Sequence, residues 1–258
     1  MPACISSLDQ DRVDQLAALR ASLARARAAR GTALPFGVPE IDERLPDHGL
    51  NGAGLHEVTA ASASFTDDAC ATLFTAGIAA RFAVEPGFTI LWAMTRFDLY
   101  APGLEQTGLG PNKILYAQGR KDAEVLALAE DGLRDGSLAC VVAEVKAADQ
   151  TATRRLQLAA SDGKTPMLLF RRHRHRDRCP LSGLSSAMTR WRIGAAPSTP
   201  LPHAGLGRPR WSVELVRQRN GNPFSLELEA CDDSGRLALP AAAANRAVAA
   251  DRAARQAA

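Results

Sequence analysis

Short apolar segments alternate with amphipathic ones through the middle of the chain, and this alternation predicts strands connected by helices. The predicted strands cover 55–61, 89–94, 113–118, 138–145 and 167–172, and the predicted helices cover 67–82, 99–108, 121–135 and 150–161. Apolar strands that alternate with helices are typical of a parallel sheet covered on both faces. Right-handed crossovers favour the doubly wound form of such a sheet.

From residue 189 onwards the helical pattern gives way to alternating strands. Strands are predicted over 189–196, 210–219 and 225–231, with a turn at Asn220-Gly221-Asn222 between the last two. Asn-Gly between two such segments is a strong hairpin signal. The sequence therefore predicts an α/β fold whose mostly parallel sheet, with helices on both faces, is extended by a C-terminal antiparallel hairpin.

The two ends of the chain differ from this core, which spans 33–240. Residues 1–32 are predicted to form an N-terminal amphipathic helix, whose apolar stripe consists of Val13, Leu16, Leu19 and Leu23. That stripe either docks on its own core or binds a partner. Residues 241–258 form an Ala- and Arg-rich tail, predicted to be frayed or to bind a partner.

Composition fits a globular protein, with 46% hydrophobic and 23% charged residues. No apolar segment approaches the roughly 20 residues of a membrane helix, and the start lacks a basic region followed by an apolar one. We therefore expect a cytoplasmic protein with no membrane partner. The five cysteines are scattered without a CxxC pair, which favours a reducing compartment and gives no support to a metal site.

Positive charge is concentrated in one segment. Residues 171–178 contain five arginines and one aspartate, which gives this segment a formal charge of +4. The arginines are Arg171, Arg172, Arg174, Arg176 and Arg178. The charge of this one segment exceeds the net charge of +3 of the whole chain. The guanidinium of arginine can donate two hydrogen bonds to one phosphate, so these five residues are candidates for contact with single-stranded DNA. The alternative is a solvated charged loop, because no aromatic residue lies among them for bases to stack on. His173 and His175 lack the Cys or carboxylate neighbours of a metal site.

Residues 57–68 follow the first strand at the place where a P-loop would cradle phosphates, yet they contain no glycine and no lysine. Phe65 stands where glycine and lysine are required. Asp67 and Asp68 favour the start of a helix but repel a triphosphate. We expect no ATP site here.

The order of several segments resembles a RecA-type ATPase core and, within that superfamily, the ImuA family of bacterial translesion synthesis. The resemblance covers roughly residues 33–240 and rests on the ordered set, since no single segment is diagnostic. The residues that carry it lie at 34–42, 49–50, 54–58, 97–104, 114–118, 141–142, 154–160, 189–192 and 205–211, with the hairpin 208–224.

This resemblance implies a RecA-like accessory protein in SOS-associated, error-prone translesion DNA synthesis and DNA repair. Its implied partners are an ImuB-like Y-family polymerase homologue without activity and an error-prone C-family DNA polymerase. Binding to RecA itself, with regulation of its filament, is the alternative, and a divergent DNA-dependent ATPase is a third.

The resemblance also implies where catalytic residues would stand. Met94 replaces the glutamate that activates water and Ala143 the aspartate that supports magnesium, while Glu144 is expected to face away. We therefore expect no catalytic residues, no enzymatic activity and no cofactor.

The remaining aromatic residues are interpreted as core. Trp92, Tyr100, Trp191 and Trp211 are predicted to be buried, with Arg190 and Arg192 solvated on the face opposite Trp191. His56, within the first strand, is predicted to be a buried histidine with its hydrogen bonds satisfied.

Overall fold

The structure is a computed structural model that describes residues 31–85, 87–173, 178–198, 205 and 207–240, together with Arg12 and Gln15. The stripe Val13, Leu16, Leu19 and Leu23, the tail 241–258, and both Arg174 and Arg176 lie outside the described residues. The helices are α1 Pro39–Asp42, α2 Phe65–Phe82, α3 Ala101–Glu105, α4 Asp122–Asp135 and α5 Gln150–Gly163. The strands are β1 Leu55–Ala60, β2 Ile90–Met94, β3 Ile114–Gln118, β4 Cys140–Val145, β5 Met167–Arg171, β6 Thr189–Ala196, β7 Arg210–Gln218 and β8 Phe224–Glu229.

All eight strands form one sheet in the order β3-β2-β4-β5-β1-β6-β7-β8. The first six strands in that order are parallel, whereas β7 runs antiparallel to both β6 and β8. The central strands β1 and β4 are buried along their whole length, as expected for strands covered on both faces. The predicted α/β sheet with its antiparallel C-terminal extension is confirmed.

Two hydrophobic cores lie on opposite faces of the sheet. One face packs α2 against fully buried aromatic side chains that include Trp92, Trp191 and Phe170. The other face packs α4 and α5 against the intervening residues of the same strands, such as Val141 and Leu169. Odd and even strand positions therefore serve different cores, which explains why the central strands read as continuous apolar segments.

Several predictions about single side chains are confirmed, whereas those for Tyr100 and Arg190 are wrong. Trp92, Trp191 and Trp211 are buried, and His56 is fully buried between Thr189 Oγ1 at 2.7 Å and the Asn51 carbonyl at 2.9 Å. Burial lowers the pKa of His56 to about 4, so it is neutral. Tyr100 was expected in the core, but it is 74% exposed because it precedes the short helix α3 instead of lying within a longer one.

Arg190 is the second correction, since it was expected to be solvated and is 5% exposed. Trp191 and Arg190 do alternate across β6, but the face opposite Trp191 is covered as well. Within the part of the chain that the structure describes, no helix is both long and apolar enough to span a membrane.

Candidate functional site

The turn between β1 and α2 is the first part of the candidate site. Only residues 61–64 separate Ala60 from Phe65, and Ser64 caps the helix by accepting a hydrogen bond from the Asp67 backbone N–H at 3.1 Å. A P-loop needs a longer glycine-rich turn that wraps a phosphate before the helix begins. The turn is therefore too short as well as lacking the required residues.

Asp67 fastens this turn to the neighbouring strand β6. Its carboxylate accepts a hydrogen bond from the Ser62 hydroxyl at 2.5 Å and from the Ala195 backbone N–H at 2.8 Å. Gly194 permits the close approach, because a Cβ at that position would lie 2.8 Å from the Ala61 Cβ. Protein atoms and a carboxylate thus fill the start of helix α2, where an anion would otherwise bind.

Arg172, the residue after β5, lies at the centre of a carboxylate cluster at the carboxyl ends of the strands. Its guanidinium contacts Glu144 Oε2 at 2.6 Å and 2.8 Å, Asp68 of helix α2, and Asp98 Oδ1 at 3.7 Å. The other Glu144 oxygen accepts a hydrogen bond from Trp92 Nε1 at 2.7 Å. We call Arg172, Glu144, Asp68 and Asp98 the Arg172 cluster.

A cavity of about 290 Å³ remains beside the Arg172 cluster, between the start of α2 and the loops that follow β2, β4 and β5. This is the edge of a parallel sheet at which ligands usually bind. Phe65, Arg96 and Lys146 line its mouth together with the cluster. The Arg172 side chain therefore occupies the point beside the cavity where the carboxylates of the cluster converge.

Glu144 corrects an expectation about this edge. Its side chain was predicted to face away from the site, with Ala143 in the place of a metal-supporting residue. Instead Glu144 shares the face of Val142 and Trp92 and points into the cavity, whereas Ala143 belongs to the opposite core. The prediction assigned Ala143 to the face of the site and Glu144 to the opposite face, and the structure has the two residues the other way round.

Met94 ends β2 as predicted, and its thioether is fully buried in the core that contains Trp92. It supplies no group that accepts a proton at this edge. Glu144 is the carboxylate that reaches the cavity, but it is already bonded to Arg172 and Trp92. Neither residue is placed to activate a water molecule freely.

The electrostatics of the Arg172 cluster are those of a buried ion pair. Burial raises the pKa of Glu144, while the charge of Arg172 and the hydrogen bonds from Arg172 and Trp92 oppose this shift. Burial likewise raises the pKa of Asp68, again against the opposing charge of Arg172. The Arg172 guanidinium therefore compensates only part of the desolvation of the two carboxylates.

A second cluster of charges fixes the base of the arginine segment on the opposite face of the sheet. Glu57, which is fully buried in β1, accepts hydrogen bonds from Arg171 Nη1 at 2.8 Å and from Arg190 Nε at 2.6 Å. Arg190 also donates to the Gly183 carbonyl at 3.0 Å. One carboxylate therefore joins the residue that ends β5 to the second residue of β6. We call Glu57, Arg171 and Arg190 the Glu57 triad.

Three of the five candidate DNA-contacting arginines are described by the structure, and they occupy different environments. Arg171 belongs to the Glu57 triad and Arg172 to the Arg172 cluster, so both are engaged by carboxylates. Arg178 is exposed, with one long contact of 3.4 Å from its Nε to the Ser182 hydroxyl. His173 donates from Nε2 to the Ala60 carbonyl at 2.9 Å. Among the residues described, no group of three or more His, Cys, Asp or Glu side chains is arranged to hold a metal ion.

Sequence reasoning missed the roles of Glu57 and Glu144, although a signal was present. Each is the only acidic residue within a strand that is buried along its whole length, at Leu55–Ala60 and Cys140–Val145. A charge inside a strand buried on both faces requires a partner of opposite charge. Arginines at the ends of the two neighbouring strands were the available partners.

Comparison with known proteins gives one strong likeness. The chain is 40% identical over 202 residues to Protein ImuA of Caulobacter vibrioides strain NA1000 / CB15N, covering 76% of this chain and 83% of that protein. Protein ImuA of a second Caulobacter vibrioides strain, ATCC 19089 / CIP 103742 / CB 15, matches with the same figures. No protein-family model matches the chain. Among solved structures, SulA from Pseudomonas aeruginosa aligns with a TM-score of 0.39 and 24% identity, over 45% of this chain and 96% of that one.

Proposed function

The chain belongs to the ImuA family, and from this premise we propose that it is a non-catalytic RecA-like accessory protein in error-prone translesion DNA synthesis. Family membership supports a role in the mutagenesis that follows DNA damage. The finer proposal is that the protein works in the cytoplasm, under SOS control, by binding partners without turning over a nucleotide.

One observation carries the non-catalytic part of the proposal: Arg172 and its carboxylates fill the place where a nucleotide's phosphates and metal would bind. A triphosphate there would meet the carboxylates of Asp68, Asp98 and Glu144 without the glycine-rich turn and the lysine of a P-loop, although Arg96 and Lys146 line the same cavity. Phosphoryl transfer depends on positive groups and a metal ion that stabilise the transferred phosphoryl group. The Arg172 guanidinium at the centre of this site is already paired with three carboxylates.

The proposed partners are an ImuB-like Y-family polymerase homologue and an error-prone C-family DNA polymerase. RecA is the alternative partner, in which case the protein regulates the recombinase filament. Single-stranded DNA is a further proposed ligand. Because Arg171 and Arg172 are held in ion pairs, contacts from this segment would come from Arg174, Arg176 and Arg178.

The partners are tested by capture of the tagged protein from cells treated with a DNA-damaging agent, followed by mass spectrometry. Recovery of a Y-family-like protein together with a C-family polymerase is the expected result. Recovery of RecA alone would replace the adaptor function with filament regulation. Capture from undamaged cells expressing the same tagged protein provides the matched control.

The absence of turnover needs a separate genetic test. A strain lacking the protein is complemented with the wild type or with Glu144→Gln, which retains the side-chain shape but removes the carboxylate that faces the cavity. We expect both to restore damage-induced mutation to the same frequency at equal protein abundance. If Glu144→Gln abolished mutation while the protein remained folded and abundant, the carboxylate would be acting chemically and the non-catalytic proposal would be wrong.

A further inference from the structure

Four aromatic side chains are exposed at one corner of the sheet. They are Phe65 at 96% exposure, Phe97 at 60%, Tyr100 at 74% and Tyr116 at 37%. Every other aromatic side chain in the described part of the chain is buried or half-buried. Such concentration of exposed rings on one surface indicates a binding site, because large apolar groups are otherwise withdrawn from water.

Two of the four rings are brought together by parallel strands β2 and β3, since Phe97 follows β2 and Tyr116 lies in β3. The Phe97 and Tyr116 rings pack edge to face with centroids 4.8 Å apart. Phe65 stands at the first turn of α2 and lines the same cavity as Arg96, the residue before Phe97. Tyr100 precedes helix α3, which packs against α2. We call these four residues the aromatic corner.

Exposed cations surround the aromatic corner. Arg96 and Arg120 have side chains that are 76% and 92% exposed, and their ion pairs with Asp98 and Glu124 are long, at 3.9 Å and 3.3 Å. Lys121 and Lys146 are exposed and have no ion pair among the described residues. These two lysines follow β3 and β4, so they lie on the same edge of the sheet as the rings.

Several carboxylates at this edge accept hydrogen bonds from the protein itself, which reduces the negative charge free to repel a ligand. Asp122 accepts hydrogen bonds from the Lys146 and Ala147 backbone N–H groups at 3.1 Å and 2.8 Å. Asp149 caps α5 by accepting from the Ala152 N–H. The carboxylates of the Arg172 cluster are held by the guanidinium. Carboxylates bonded in this way oppose phosphate approach less than free ones at the surface.

We propose that the aromatic corner, with Arg96, Arg120, Lys121 and Lys146, binds single-stranded DNA. Exposed rings provide surfaces on which unpaired bases stack, and the surrounding cations contact the phosphates. A duplex would not offer its base faces to the rings, so single strands are favoured. The inference rests on the proposed function for the choice of ligand, since DNA damage response exposes single-stranded DNA.

The arginine segment, residues 171–178, contains no aromatic residue, and the aromatic corner supplies such residues on the same edge of the sheet. The strand order β3-β2-β4-β5 sets the aromatic corner and the base of the arginine segment on one edge. Neighbouring strands are roughly 4.8 Å apart, so β2 and β5 are separated by about 10 Å. A strand of a few nucleotides spans this distance and passes the mouth of the cavity. Bases would stack at the corner while Arg178 remains available at the far end.

The test measures fluorescence anisotropy of a labelled oligothymidylate of about 20 nucleotides, longer than the usual binding site of one domain. Phe97→Ala combined with Tyr116→Ala is compared with the wild type. The matched control combines Val84→Ala and Leu158→Ala, which removes exposed apolar side chains elsewhere. An abasic oligomer of equal length keeps the phosphates but provides nothing to stack. Thermal unfolding of each variant verifies that it is folded.

We expect the aromatic variant to bind oligothymidylate at least about fivefold more weakly, the lower limit for losing one stacked base. Its affinity for the abasic oligomer should equal that of the wild type, and the control should match the wild type on both. Arg120→Ala with Lys121→Ala should weaken binding to both oligomers. It should also reduce the slope of log affinity against log salt by about 0.7 for each lost phosphate contact.

Three results would overturn the inference. The first is no measurable binding by the wild type at low salt, and the second is wild-type affinity in the aromatic variant. The third is an equal loss on both oligomers, since the rings would then not be stacking on bases. If the aromatic variant keeps its DNA affinity but no longer captures the polymerase-like partner, the corner is a protein-docking surface. Partner capture by the wild type is unaffected by any of these DNA results, so the proposed function fails or stands separately.

Discussion

Arg172→Ala is the change that most directly tests whether the closed site is a structural ion-pair cluster. The substitution removes the guanidinium shared by Glu144, Asp68 and Asp98. Glu144 is 5% exposed and would retain only its hydrogen bond from Trp92. A buried carboxylate without its cation must either remain charged in a poor solvent or bind a proton, and both reduce stability at neutral pH.

The expected loss follows from the burial of each partner. Removing one partner of a fully buried ion pair costs about 3–5 kcal/mol. Here the Arg172 side chain is 22% exposed and the carboxylates of Asp68 and Asp98 are 29% and 45% exposed, so water replaces part of the lost interaction. Glu144 carries most of the penalty. We therefore expect Arg172→Ala to lower the free energy of unfolding by about 2–4 kcal/mol.

The assay is urea denaturation followed by tryptophan fluorescence, for Arg172→Ala, Glu144→Ala and the double variant. The double variant should be less destabilised than the sum of the two single variants, by about 2 kcal/mol, because it leaves no buried charge without a partner. Arg192→Ala is the matched control. Its partner Glu214 is one-third exposed, so the expected loss is below about 1 kcal/mol. If Arg172→Ala costs no more than the control, or if the two single losses simply add, the buried-cluster reasoning is refuted.

Three further predictions concern the same edge and the Glu57 triad. Because burial raises the pKa of Glu144, the contribution of this residue to stability is present at low pH and is lost as pH rises through the raised pKa. Urea denaturation should therefore show Glu144→Gln gaining stability relative to the wild type as pH rises above about 4.5. A difference in stability that does not change with pH would contradict the burial of Glu144. Glu57→Ala leaves two buried arginines without a carboxylate and should cost more than about 3 kcal/mol by the same assay or prevent folding, whereas a loss below about 1 kcal/mol would contradict the triad. Purified protein should release no phosphate from ATP above the rate of a buffer control, with or without single-stranded DNA, and turnover that persists through repeated purification would require a site elsewhere.

The sheet was predictable because binary patterning records burial directly. The short, largely apolar segments at 138–145 and 167–172 favour strands covered on both faces, and the helices predicted beside them carry amphipathic patterns. The hairpin was predictable from Asn220-Gly221, whose first residue adopts the required left-handed conformation, with φ of 61° at Asn220. These features depend on local chemistry, so they appear in the sequence without knowledge of the tertiary structure.

The candidate site was only half predictable. The absence of phosphate-binding residues at 57–68 is visible in the sequence, but the position of the Arg172 side chain beside this segment is not. Arg172 reaches Asp68 across more than a hundred residues of sequence, and nothing local specifies that contact. The error over Glu144 arose from a one-residue choice at the end of a strand, where alternation assigns opposite faces to neighbours. The prediction for Tyr100 failed because helix α3 begins only after this residue, so Tyr100 does not lie within the helix.

Closing the ligand site and fixing the arginine segment are consequences of the same contacts. Arg172 is the first residue after β5, and its guanidinium both fills the carboxylate pocket and sets the direction in which the chain leaves the sheet. Arg171 holds the other face through Glu57, which also anchors Arg190 where the chain returns in β6. Buried ion pairs contribute little net stability compared with apolar packing, but they admit few alternative geometries. Fixed charges therefore occupy this edge of the sheet at the base of the arginine segment. That arrangement suits a protein whose proposed task is to present a surface to partners and DNA, since a fixed loop base lowers the entropy lost on binding.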